Sequence, residues 1–459
     1  MYGSGYLVTI TLVKNTTISS FIGFNCYFYA VNEELLYYIW QHRLFANNAL
    51  KSEEGETIEV INPGQRNQDA GPDFTNARIR IGGTLWAGNV EIHQKSSDWL
   101  HHKHQYDPSF GNIILHVVYE HDKDGVTGAP TLALKGLVQE SLLSRYHYLL
   151  NNKQWIPCEK MLTDVDEMTF TLCKERMVIE RLEQKNLAIE ALLKRNVGSW
   201  EETMYQLTAR CFGLKVNREP FELMACSLPL NIVAKKKQDL KCIEALLFGQ
   251  AGMLNDEPKD EYQAGLQREY RYQQHKYQLR PTQGHSWKFM RLRPPSFPTV
   301  RLAQFAMLLH RSVHLFSKVL ETNNLKEVEE LFKVGTSEYW QTHYTFGKES
   351  APKVKELGTE TLHLLVINTI APILFTYARH KGDEHLQERA LNWLEQIKAE
   401  QNEIVKHWAS LGRKANSAYE SQALLQLKNE HCDHKKCLSC SIGNSLLRKP
   451  VVGFIETNL

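Results

Sequence analysis

The sequence lacks most of the signatures that would place it in a class at once. Lys plus Arg (54) and Asp plus Glu (52) nearly cancel to a net charge of +2, which excludes a uniformly basic nucleic-acid coat or an acidic tail protein. Nine cysteines in 459 residues are too few for a disulfide scaffold. No stretch reads as the roughly 18 apolar residues that a spanning helix requires. No fixed-length repeat is visible, which argues against a solenoid. An export signal is also missing: residues 1–30 carry one charge, Lys14, and that lysine and a Thr/Ser stretch interrupt the only apolar candidate. The expectations are a cytoplasmic protein and a non-native or disordered extension over residues 1–31, with Val31 as an alternative start. A weak export signal is the competing reading. What remains is a globular composition, 42% hydrophobic and 23% charged, long enough for two or three domains.

The near-zero charge is an average over unlike regions. Residues 32–150 hold 10 basic and 15 acidic side chains, or −5, whereas residues 151–459 hold 43 and 37, or +6. Periodicity changes at the same place. From Glu33 to Phe45 apolar residues recur at helical spacing. Residues 57–64 alternate and stop at Pro-Gly, and the runs 74–83 and 84–93 alternate on either side of Gly82-Gly83, a hairpin signal. After a polar stretch over 94–110, residues 112–120 are continuously apolar, as in a buried strand, and 130–136 form one more short strand. Beyond 138 the period is helical, over 138–151, 166–195, 199–213, 239–254, 300–322, 324–334, 358–380, 383–410 and 415–430, with a break near 255–299. The predicted architecture is an α/β unit over 32–150 followed by a mainly helical domain over 151–459.

Three constellations carry chemistry. In the first, the hairpin brings Asp73, at the start of one strand, beside Glu91 near the end of the other, and His93 shares a face with Glu91. Two carboxylates on a rigid hairpin can hold Mg²⁺ or Mn²⁺, with a third group to polarise water or stabilise a phosphate. Six of the 19 histidines (His93, His101, His102, His104, His116 and His121) fall within 29 residues here. That density suggests a transition-metal site or phosphate-contacting imidazoles. His116, inside an apolar strand, reads equally as a core histidine. The plain alternative is that Asp73 caps a turn and Glu91 faces solvent.

This segment resembles the PD-(D/E)XK nuclease superfamily, whose motif is Pro-Asp, a spacer and then acid-x-Lys. Pro72-Asp73 matches the first half, and Glu91 and His93 the second, with His in place of Lys. The resemblance implies a restriction-endonuclease-like αβββαβ core and metal-dependent cleavage of DNA or RNA. It casts Asp73 and Glu91 as metal ligands, His93 or Lys95 as the catalytic partner, and Glu33 or Glu34 as a further acid from the first helix. The replaced lysine leaves open a degenerate fold that binds nucleic acid without cleaving it. A hydrolase of small substrates built on His101–His104 is the third reading. From about residue 32 the chain is also similar to an uncharacterised bacterial family, through AGPDFTNARIRIGGTLWAGNVEIHQKSSDWLHHKHQYD, GNIILHVVYE, RLRPPSFPTVRLAQFA and CLSCSIG. That similarity implies a soluble bacterial protein and no particular activity.

The second constellation is Cys432-x₄-Cys437-x₂-Cys440 with His431 and His434 alongside, a spacing that can wrap one tetrahedral ion, with His434 the histidine expected to complete it. Zinc held by three cysteines and a histidine is the first expectation. The nuclease resemblance implies a second, an iron–sulfur cluster with Cys158 as the distant ligand. Three reduced thiols at a helix end is the plain alternative. Cys173, Cys211, Cys226 and Cys242 read as small core residues. The third constellation is the stretch 262–301, which carries eight Lys or Arg against one Glu with aromatics interleaved. Arg268, Arg271, Lys276, Arg280, Lys288, Arg291 and Arg293 are its candidate phosphate contacts, and the aromatics candidate stacking partners. The opposing reading is a surface helix with tyrosines packed inward. A further option ion-pairs Arg291, Arg293 and Arg301 to the acidic N-terminal region.

Overall fold

The computed structural model describes residues 31–46, 50–282 and 284–449; the expected extension over 1–31 lies outside them except for Val31. Contacts divide the chain into two units, with the boundary after Asn151.

The first unit opens with helix α1 (Glu33–His42), started by Asn32, whose side chain accepts from the Leu35 amide at 3.0 Å. Its apolar face (Leu35, Leu36, Ile39 and Trp40) is fully buried. The strands are β1 (Leu50–Lys51), β2 (Thr57–Asn62), β3 (Gln65–Arg66), β4 (Phe74–Ile81) and β5 (Thr84–Lys95), then β6 (Ile113–Glu120) and β7 (Thr131–Ala133). Helix α2 (Asp98–His101) lies between β5 and β6, and α3 (Glu140–Asn151) closes the unit. The sheet runs β1-β2-β4-β5-β6-β7, and β3 pairs with β4. β2, β4 and β5 form an antiparallel meander, while β5, β6 and β7 are parallel. Helix, three strands, short helix, strand is the order read from the sequence. The two-residue strands β1 and β3 are additions, too short to alternate visibly.

The hairpin forms for the reason its sequence indicates. Ile81 pairs with Thr84, and Gly82 and Gly83 both take positive φ (55° and 88°), as a two-residue turn matching the strand twist requires. Further along β5, a side chain on Gly88 would strike Ile114 at 2.4 Å, so glycine lets β6 lie alongside. In β6, Leu115, Val117 and Val118 are fully buried, consistent with a central strand.

In the second unit the longest helix is α4 (Glu167–Arg195). The helix predicted over 300–322 is two, Pro298–Arg311 and Leu315–Glu321, because Ser312 turns extended. That over 383–410 is also two, Glu384–Gln396 and Glu403–Ser410, separated where Lys398 bridges Ser417. The expected break near 255–299 contains a 17-residue helix, Glu261–Tyr277. Its inward face is Gln263, Gly265, Leu266, Gln267, Tyr270 and Gln273, with Leu266 the single aliphatic side chain, so no aliphatic stripe marks it. Gln267 Nε2 donates to Leu254 O at 2.9 Å and the Tyr270 hydroxyl to Gln250 at 3.0 Å, which satisfies those buried polar groups. One segment, Thr359–Lys381, is long and apolar enough to cross a membrane, contrary to the count of apolar runs, but 72% of its 18-residue apolar window is buried within the unit. Packing accounts for its apolarity.

Candidate functional site

The chemistry of the first unit gathers where β4, β5, α1 and the segment after β5 meet. Phe74 pairs with Val90, which sets Asp73 against Glu91 as the hairpin geometry requires. The Asp73 amide donates to Glu91 Oε2 at 3.0 Å, and the Ile92 amide returns a hydrogen bond to Asp73 Oδ2 at 3.0 Å. Arg66, delivered by β3, reaches Asp73 Oδ1 at 3.2 Å, and its guanidinium lies 3.6 Å over the Tyr37 ring. From α1 come Tyr37 and, one turn earlier, Glu33, joined through the Tyr37 hydroxyl at 3.4 Å. Glu34 is exposed.

Histidines fill the other side. His93 is buried; its Nδ1 meets His116 Nε2 at 2.9 Å and its Nε2 meets His102 Nδ1 at 3.1 Å. His93 Nε2 is also 3.7 Å from Glu91 Oε1, and His104 Nε2 is 3.2 Å from the same oxygen. That last contact lacks hydrogen-bond geometry, so the buried His104 Nε2 has no hydrogen-bond partner. The segment carrying His102 and His104 is held from both ends. Ser96 and Ser97 bond Asp122 beyond β6, and Trp99, Phe110 and Val126 form a small core beneath it. His104 lies between Phe110 (ring centroids 4.0 Å apart) and Trp99 (5.3 Å).

The electrostatics describe a site that resists charge without a cation. Burial, then the neighbouring Asp73, pushes the Glu91 carboxyl up to about 8. Burial also raises Asp73, although the Ile92 amide and Arg66 oppose it, and it raises Glu33. Burial, reinforced by His116, His102 and His104, holds His93 down to about 2. His116 is held down to about 4, by burial first and then by His104. His93 is therefore a neutral imidazole with lone-pair character to offer, and it supplies no positive charge.

Among the described residues, His93, His102 and His104 are the one group of at least three such donors whose ligand atoms all lie within 4.8 Å of one another. Ligands bound at about 2.1 Å to a single ion stand about 3.0–3.4 Å apart, depending on coordination number. The separations of 3.1 Å and 3.2 Å fit that spacing, and the third, 3.7 Å, is slightly longer. Three imidazoles and a carboxylate suit a transition metal better than Mg²⁺. His116, bonded behind His93, occupies the place of an outer partner that orients a ligand.

Lys95 lies elsewhere: it is exposed, and its charge acts on Glu120 and Asp122. His101 and His121 bond Asp98 (3.3 Å) and Asp124 (2.6 Å). Arg66 and Tyr37 were missed in the sequence, because a two-residue strand and an ordinary helix face give no signal of what they will meet.

In the second unit, Cys432, Cys437 and Cys440 line one cavity with Cys158, His431 and Lys436. His434, the expected histidine ligand, is exposed and absent from that lining, whereas the neighbouring His431 is buried and part of it. Cys173 is buried as expected and hydrogen-bonds Cys440; Cys242 is buried; Cys226 is exposed, contrary to the core reading. Of the basic stretch, all seven candidate cations are exposed. Most aromatics beside them pack inward: Tyr262 stacks on Tyr339 at 3.9 Å, and Trp287 Nε1 donates to Ala251 O at 2.7 Å. Tyr272 is the exposed exception among them. Arg301 is buried and bonds Gln304 and Thr361 inside the helical unit, which removes it from the proposed pairing with the acidic region.

No curated protein and no solved structure matches the chain. One family model does, over residues 33–403, and the chain accordingly belongs to the family described as protein of unknown function (DUF2851).

Proposed function

We propose that the first unit is a metal-dependent hydrolase of nucleic-acid phosphodiesters, with a divalent transition metal held by Glu91, His93, His102 and His104. The observation that carries this reading is the cluster of three histidine donors within 4.8 Å, with Glu91 Oε1 at 3.2 and 3.7 Å from two of them. An ion bound there would lower the pKa of water and absorb negative charge developing on phosphate. The protein's own groups divide the remaining work. Glu91, reluctant to ionise alone, gains its partner in the cation. His116 fixes the ring of His93 from behind. Asp73 has its two oxygens taken by Arg66 and the Ile92 amide, so it positions Glu91 through its own amide rather than serving as a main ligand. His102 is exposed and His93 buried, so the donor set runs from floor to solvent. The exposed Lys103, between the two loop histidines in the chain, is suited to a substrate phosphate.

The substrate class rests on the Pro72-Asp73…Glu91-x-His93 motif together with the helix, three strands, short helix, strand order of the unit. Exposed cations from Arg268 to Arg293 in the helical unit supply a surface suited to a phosphate backbone. Neutral His93 in place of lysine favours the second reading, nucleic-acid binding without cleavage. The deciding assay is Mn²⁺- or Zn²⁺-dependent cleavage of single- and double-stranded DNA and RNA, comparing wild type with Glu91→Gln and His102→Ala. Cleavage lost in both variants is expected. Salt-sensitive binding with no cleavage would replace this reading with the second, and equal cleavage by all three proteins would reject the site.

A further inference from the structure

The fold brings together four cysteines that the sequence holds far apart. Cys158 precedes α4, and Cys432, Cys437 and Cys440 lie near the end of the helical unit, yet all four line one cavity. They are reduced. Two further features show that the chain is drawn tightly around this cavity. Gly443 approaches Cys437 so closely that a side chain there would lie 2.1 Å from the Cys437 carbonyl oxygen. Cys440 stands at the start of the helix Ser441–Arg448, where the amides of Gly443 and Ile442 bond its sulfur.

The spacing of the thiols decides what kind of centre they suit. Four thiolates on a single zinc ion at about 2.3 Å stand about 3.8 Å apart. No three of these sulfurs meet even a 4.8 Å limit, although the three histidines of the first unit do. A polynuclear iron–sulfur cluster places iron and sulfide between its thiolates and so holds them farther apart than one ion would. The surroundings suit a cluster that is negative overall: Lys436 lines the cavity, and Lys428 and Lys435 act electrostatically on Cys432 and Cys437. His431 also lines it, with Nε2 on Glu180 at 2.7 Å and a buried Nδ1 that has no hydrogen-bond partner. The Cys173 thiol bonds Cys440 from outside the ring of four and, with the two amides, pulls the Cys440 thiol below its ordinary range.

We infer that Cys158, Cys432, Cys437 and Cys440 bind an iron–sulfur cluster, which ties the start of the helical unit to its end. The four thiols bind as thiolates and release their protons to solvent on assembly. Neither the metal centre of the first unit nor its proposed activity is needed for this assignment.

The test is metal and acid-labile sulfide analysis of the full chain purified without oxygen and supplied with iron and sulfide. On the order of four iron and four sulfide per chain are expected for a cubane cluster, with visible charge-transfer absorption that bleaches on reduction. Each of Cys158→Ser, Cys432→Ser, Cys437→Ser and Cys440→Ser should lose the absorption and the iron, while Cys226→Ser keeps both. Where a variant fails to fold, alkylation of the wild type followed by mass spectrometry takes its place: the four thiols should be protected and Cys226 modified. Stoichiometric zinc without sulfide would overturn the assignment, as would a protein that takes up neither. A cluster retained in folded Cys158→Ser, or Cys158 alkylated in loaded wild type, would overturn the four-cysteine set.

Discussion

The histidine site of the first unit and the cysteine cavity of the second are both built from buried donors, yet they differ in spacing and in delivery. The histidines and Glu91 come from 14 consecutive positions, residues 91–104, on one strand and the segment that follows it; the three histidine donors lie within 4.8 Å of one another, and His93–His102 at 3.1 Å and His104–Glu91 at 3.2 Å stand at single-ion distances. The cysteines come from two ends of a unit spanning Asn152–Lys449, and their sulfurs stand wider. Hard and borderline donors in a tight group suit one exchangeable ion that can keep a position for water; soft donors in a wide ring suit a closed structural centre. Donor spacing therefore separates a candidate reactive site from a candidate staple more clearly than donor count does.

The strongest way to break this comparison is to remove one site and read the other. His93→Ala or His102→Ala should weaken transition-metal binding at the first unit at least ~100-fold, since second-shell changes alone cost about 10–100-fold. Iron content at the cysteines should be unchanged, and both quantities can be read by elemental analysis. Cys437→Ser should do the reverse. Loss of both metals in either variant would mean that the two sites are not independent.

His116→Ala is expected to be milder. It leaves every proposed ligand in place and removes only the group bonded to His93 Nδ1 at 2.9 Å. Metal affinity, measured by competition with a chelator, should fall about 10–100-fold. An unchanged affinity would return His116 to the role of an ordinary core histidine.

The pH dependence of the metal-free protein sharpens the contrast further. His93 and His116 have folded values lowered to about 2 and about 4, so the unfolded chain binds more protons below the ordinary histidine value of 6.5. Their contribution to stability is therefore lost as pH falls below about 6.5. Glu91 is raised to about 8 from 4.5, so the folded chain binds the extra proton, and that contribution is lost as pH rises from 4.5 through 8. Over the acidic range the terms oppose each other; above about 6.5 only the Glu91 loss remains. Thermal melts without metal should show Tm falling between pH 6.5 and 8, and the fall should shrink in Glu91→Gln or on adding Zn²⁺. A Glu91→Gln profile identical to wild type would show that this carboxyl does not titrate as described.

The smallest expected effect concerns the basic surface. If it grips a nucleic-acid backbone, Arg271→Ala and Lys276→Ala should each reduce the salt dependence of binding by about one phosphate contact, without changing metal content. An unaltered salt slope would assign these cations to solvent.

The hairpin was legible because its cues are local: alternating runs, two glycines at a two-residue turn, and a register that places Asp73 against Glu91. His93 and the loop histidines were visible as a density of one residue type, although which of them converge depends on how residues 96–110 fold back. Arg66 was not legible, since it acts from a two-residue strand whose position depends on its pairing with β4. The helix Glu261–Tyr277 was hidden because Gln263 and Gln267, which donate to backbone carbonyls, and Gln273, which donates to Glu269, occupy the face where aliphatic residues would normally show. Cys158 could be suggested from the sequence only through a family resemblance; its meeting with the other three is a property of the fold. His434 was misplaced for the same reason, because closeness in sequence to three cysteines does not determine which way a side chain turns.

The most direct measurement is the anomalous-difference map of crystals of the full chain soaked in Zn²⁺ or Mn²⁺. The account predicts a peak in the first unit within bonding distance of Glu91 Oε1, His93 Nε2, His102 Nδ1 and His104 Nε2. A peak held by Asp73 and Glu91 without the histidines, or none in this unit, would contradict it.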